Sequence, residues 1–216
     1  MSGRGVVLHV GPLADWYARH GDEGVPTDAD ARREAILRWR TELAGKLAGH
    51  GVPAFDWDER EGVATAGLLA PDALRALRLL AVYADRADLE LPRAVPKSLD
   101  ADPVHAAAAA SDFAHNRFTQ ILVPDCWLPV EFDLTVKFPY PDGLDAVFGS
   151  APVLQFQLAE LNRTTFQDGA SARREAAAAP PSESSDALAF ARHGLAALSF
   201  AVDAACRRRV PLLLGG

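Results

Sequence analysis

Between Phe118 and Phe138 the chain changes its hydrophobic rhythm twice. An apolar run, FTQILVP, meets an insert, Asp125-Cys126-Trp127, and then a strict alternation. Val130, Phe132, Leu134, Val136 and Phe138 are apolar, with Glu131, Asp133, Thr135 and Lys137 between them. Side chains of an extended chain point alternately to opposite faces, so a two-residue period marks a strand with one buried face. The pattern predicts strands over 118–124 and 128–138, the second bracketed by Pro129 and Pro139. Glu131 and Asp133 then share the outer face, their Cα atoms about 6.5 to 7 Å apart.

Elsewhere the periods are helical. Thr27 with Asp30 gives a capping-box pattern ahead of a long helix with one stripe of Ile36, Trp39, Leu43 and Leu47, stopped by Gly49 and Gly51. Pro71 opens a second helix carrying Leu74, Leu77 and Leu80. An Ala-rich third runs from Pro103 to Asn116. A fourth starts at Gly149-Ser150 with Leu154, Leu158 and Leu161, and the last spans Asp186 to Arg209. Val6–Val10 and Val210–Leu214 read as strands, Phe55-Asp56-Trp57-Asp58 as a short edge strand, and Asp15-Trp16-Tyr17 as a loop or turn. Residues 167–185 have little bulky apolar surface and read as a mobile surface excursion. The expected fold is a single α+β domain over 1–216. Its small antiparallel or mixed sheet (6–10, 118–124, 128–138, 210–214) is covered by four or five helices.

Composition narrows the partners. The 216 residues carry a formal net charge of -7, which argues against nucleic acid, because phosphate binding needs a concentrated basic surface. The most apolar long stretch, Leu188 to Cys206, is interrupted by Arg192, His193 and Asp203, so no membrane span is expected. Two cysteines, Cys126 and Cys206, make no disulfide framework, and no apolar leader follows Met1. A reduced, cytoplasmic setting is the expectation. Gly3-Arg4-Gly5 precedes a strand and lacks a third glycine, so it fails as a dinucleotide fingerprint, and no phosphate loop occurs. Ser150 reads as a helix cap, not a nucleophile. No cofactor and no metal site are expected.

One candidate site remains. From Phe118 to Val136 there is no Lys or Arg, while Asp125, Glu131 and Asp133 fall there beside Trp127. Acidic groups around an aromatic suit a protein-binding face for a partner with a basic surface. The alternative is a small hydrolase or transferase, metal-assisted in one variant, using these carboxylates with a histidine or with Cys126 as nucleophile. On the third helix His105, Asp112 and His115 fall within one arc, since a seven-residue step returns nearly to the same angle. Such a group could orient a base or a metal.

Over residues 68–216 four motifs carry a resemblance. They are Leu74-Arg75-Ala76-Leu77-Arg78 leading to Val82-Tyr83-Ala84, then ILVPDCWLPVEF, then the helix from Gly149-Ser150 ending ELN, and finally RRRVPLLLGG. This succession resembles a group of uncharacterised actinobacterial proteins with an immunity-like flavour. The resemblance implies a shared fold and no established activity. Relatives of that pattern carry a Gly-Tyr-Tyr-like segment where this chain has Asp125-Cys126-Trp127, so the local surface is expected to differ.

Overall fold

The computed structural model describes residues 5–20, 24–60, 62, 65–86, 88–182 and 184–215. Gly3, Arg4, residue 183 and Gly216 of the segments named above lie outside them. Five consecutive apolar or neutral residues make Val6–Val10 the strand β1, ended by Gly11-Pro12. The expected loop after it is instead a helix, α1 (Leu13–His20), because Leu13, Ala14 and Tyr17 fall on one side and are buried together. The long helix α2 (Ala29–Ala48) has the stripe the spacing predicts, Ile36, Trp39, Leu43 and Leu47 all buried. Its cap lies one residue later than expected: the Asp28 carboxylate accepts from the backbone N–H of Asp30 and Ala31 at 3.1 and 2.9 Å. Phe55 to Asp58 join no ladder, and the strand here is β2 (Thr65–Leu69). Helix α3 (Pro71–Tyr83) begins at proline as read.

The apolar run at 118–124 is not a strand. After the short α4 (Pro103–Ala109) it forms one helical turn, α5 (Thr119–Leu122), in which Phe118, Ile121 and Leu122 face the core at helical spacing. A short, fully buried apolar run satisfies either period, and here the helical one wins. The alternating segment is also interrupted. Only β3 (Cys126–Leu128) and β4 (Val136–Pro139) are strands, while residues 129–135 leave the ladder at Pro129 and cross to the next position. Burial still alternates along the crossing, with Val130 and Phe132 buried and Glu131 and Asp133 exposed. The crossing passes β5 (Asp145–Ser150), an unanticipated strand that lies between β3 and β4. Then come α6 (Ala151–Thr164), capped by Ser150 as expected, α7 (Ala170–Ala178), α8 (Ala187–Arg208) and β6 (Leu212–Gly215). Helix α7 falls inside the predicted excursion; its Ala176 carbonyl bonds the His193 ring at 2.8 Å, and Asp168 just before it pairs with Arg192 of α8.

The six strands form one mixed sheet in the order β2-β1-β6-β3-β5-β4, with β3 and β5 parallel and every other neighbouring pair antiparallel. The fold is α+β. Helices cover both faces. Trp127 and Leu212 point to a core beneath α3, α5, α6 and α8, while Cys126, Leu128 and Leu213 point to a second core beneath α1 and α2. The β4 margin is closed by side chains. Lys46 Nζ donates to the Lys137 carbonyl at 2.6 Å, and Trp39 Nε1 to that of Pro139 at 2.7 Å. At the other margin β2 has β1 as its only neighbour in the sheet among the described residues, and Leu68 is 75% exposed. Among the described residues no helix is long and apolar enough to cross a membrane.

Candidate functional site

The predicted acidic and aromatic face is divided by the fold. Trp127 lies on a central strand covered on both sides, is fully buried, and donates its indole N–H to the Gln120 carbonyl at 2.8 Å. It is a core residue and offers nothing to a partner, which corrects its reading as a contact. Asp125 precedes β3 and is half exposed, but Arg78 of α3 reaches it. One guanidinium nitrogen sits 3.3 Å from the carboxylate and 3.0 Å from the Pro124 carbonyl. A stretch with no base in its own sequence thus receives one from 47 residues away.

Glu131 and Asp133 lie on the crossing segment. Both are exposed, and neither carboxylate has an ion-pair or hydrogen-bond partner among the described residues. They line a shallow depression of about 400 Å³ with His50, Gly51 and Val52. Asp125 lines a different one, of about 370 Å³, with Lys137, Phe138 and Asp145. The segment bearing Glu131 and Asp133 is pinned from below. Val130 and Phe132 are buried, and the Leu134 carbonyl accepts from Gln120 Nε2 at 3.1 Å. Gln120, itself fully buried, also accepts the Ser150 N–H on its other side-chain atom at 2.8 Å.

The alternative catalytic groups are not assembled. Cys126 is fully buried, and burial pushes its thiol far above the usual range, with Tyr140 and Asp125 as the groups beside it. A thiol held neutral is no nucleophile. In the native protein at neutral pH, Cys126 should therefore resist a thiol reagent, whereas denaturant should release two titratable thiols per chain, the second being Cys206, itself raised to about 11 by burial. Native-state labelling of Cys126 at the rate of a free thiol would return it to consideration. The helical arc of His105, Asp112 and His115 does not exist. Helix α4 ends at Ala109, and Asp112 and Phe113 turn left-handed at φ of 50° and 55°. His105 is buried with its ring edge against Phe113, and burial lowers its pKa; Asp112 and His115 are exposed beyond the helix.

A second concave region was not legible in the sequence. A cleft of about 450 Å³ lies between α2, residues 56–60 and the end of α8. Its wall is fixed by Glu59, whose buried carboxylate accepts the Ala14 N–H at 2.9 Å and the Trp57 indole N–H. Burial raises the Glu59 pKa. Arg40 lies over the Trp57 ring at 4.9 Å and donates to the Trp57 carbonyl. Arg208 and Arg209 also line the cleft, and Arg209 ends α8 in the left-handed conformation, φ 54° and ψ 46°. That conformation costs an L-residue about 1 to 2 kcal/mol.

Comparison of the chain with protein-family models, with curated proteins and with solved structures found no match.

Proposed function

We infer that the chain is a non-enzymatic binding protein, immunity-like or regulatory in role, that meets the basic surface of a partner protein through Glu131 and Asp133. The observation carrying this reading is the pair of exposed, unpartnered carboxylates on a segment anchored by Val130 and Phe132. Charges held in place by a packed backbone lose little freedom on binding, so more of their attraction goes into association. Unneutralised carboxylates also attract cations over several ångströms, which raises encounter rates. Asp125 lines a separate depression and is paired with Arg78, so the reading rests on Glu131 and Asp133. The burial of Cys126 and the broken arc of His105, Asp112 and His115 weigh against the hydrolase or transferase reading.

The test is a charge reversal. Proteins that co-purify from the native cell are identified, and association is followed with Glu131→Lys/Asp133→Lys. Each exposed substitution should change stability by no more than about 0.5 kcal/mol. Association at low salt should slow at least tenfold, and the gap to the wild type should narrow as salt screens the charges. Unchanged association of every native partner at low salt would make these carboxylates ordinary solvated surface.

A further inference from the structure

The arginine cleft lies apart from Glu131 and Asp133 and has a different chemistry. Arg33, Arg40, Arg60, Arg208 and Arg209 line it, against Asp56, Asp58 and Glu59, so it is locally positive in a chain of net charge -7. The carboxylates offset part of this charge and leave Arg208 and Arg209 without a partner among the described residues. Glu59 turns inward to Ala14 and Trp57, and Asp58 is 3.6 Å from Arg60. Arg33 is tied to Asp30, outside the cleft, and Arg40 to the Trp57 carbonyl and ring. Arg208 and Arg209 have no ion-pair or hydrogen-bond partner for their side chains among the described residues.

Arg209 is the informative position. Its backbone N–H bonds the Ala205 and Cys206 carbonyls and closes the helix. That cap is a backbone property, and glycine would supply it without the penalty of the left-handed conformation. Arg207 and Arg208 already place positive charge in the last turn, where the helix dipole favours it. Neither capping nor the dipole therefore accounts for an arginine at 209. Arg209 lines the cleft together with Arg208.

The cleft's size and walls limit the ligand. About 450 Å³ fits the range of small-molecule sites. The Trp57 ring is covered by Arg40 and stacked on Phe55, so it offers no free face to a planar ligand. Recognition is left to charge and to the forked hydrogen bonds of guanidinium groups, which match phosphate and carboxylate oxygens. We propose that this cleft binds a small molecule bearing two or more phosphate or carboxylate groups, held by Arg208 and Arg209, the lining arginines whose side chains have no partner among the described residues.

Calorimetric titration of the full chain with inorganic pyrophosphate, and separately with citrate, tests this. Saturable one-to-one binding of at least one anion, weakening as salt rises, is expected. Tighter pyrophosphate assigns a phosphorylated ligand, and tighter citrate a polycarboxylate. Arg209→Gly should raise the Tm by about 2 to 4 °C while weakening the anion at least tenfold, and Arg208→Ala should weaken it as well. Since glycine is the better cap, a loss of binding in Arg209→Gly cannot come from unfolding. No saturable binding of either anion by the wild type, or equal binding by Arg209→Gly, overturns the proposal.

Discussion

Trp127→Ala is expected to remove about 3 to 5 kcal/mol of stability, the range for emptying a large aromatic core position. The indole is fully enclosed in the core beneath α3, α6 and α8, and its N–H satisfies the Gln120 carbonyl. Truncation therefore leaves both a cavity and a buried acceptor without its donor. Against a total stability of about 5 to 15 kcal/mol for ordinary domains, the loss takes a large share of the fold. A denaturant titration should show the unfolding midpoint falling steeply, with the native baseline shortened or absent. Had Trp127 been a surface contact, the variant would keep wild-type stability and lose only partner affinity. A change below about 1 kcal/mol would support that outcome and would remove β3 from the centre of the sheet.

Gly194→Ala sets two opposed effects against each other. In a helix interior alanine is favoured over glycine by about 1 kcal/mol. At this position, however, α8 crosses α3 so closely that an added Cβ would lie 2.5 Å from the Ala73 carbonyl oxygen and 3.0 Å from its carbon. These are backbone atoms and cannot rotate aside. Overpacking of this kind costs about 1 to 3 kcal/mol and occasionally more. The net expectation is a loss of about 2 kcal/mol, seen as a Tm lowered by about 4 to 8 °C. A raised Tm would show that α3 and α8 can separate, and would remove this crossing as a constraint on the fold.

Elements with a long, one-sided stripe were legible from residues alone. The α2 stripe, the proline start of α3, the Ser150 cap of α6 and the span of α8 all follow from spacings that only one period fits. The failures have a common physical source, which is that the deciding interaction lies far along the chain. Phe118 to Leu122 became a helical turn because a core beneath α3 and α6 accepts Phe118, Ile121 and Leu122 together. The alternation at 130–138 recorded burial correctly but not ladder pairing, since β5 occupies the position beside β3. Trp127 was misread for the same reason: a strand covered on both faces hides even residues flanked by a carboxylate. The acidic character of Glu131 and Asp133 was visible, whereas the relief of Asp125 by Arg78 was not. The arginine cleft was invisible because its halves are separated by more than half of the chain. In the sequence, Arg33 and Arg40 resemble a solvated helix face, and Arg208 and Arg209 a helix end.

The capped carbonyls of β4 have a consequence for self-association. Sheets of separate molecules join by backbone bonds along a free margin, and continued growth needs a free margin at each side of every unit. Lys46 and Trp39 occupy acceptors at one side, leaving β2 as the remaining margin. Two copies meeting through β2 would each present a closed β4 outward. Sheet extension beyond that pair would first have to displace Lys46 and Trp39 from the β4 carbonyls, which disfavours fibre growth.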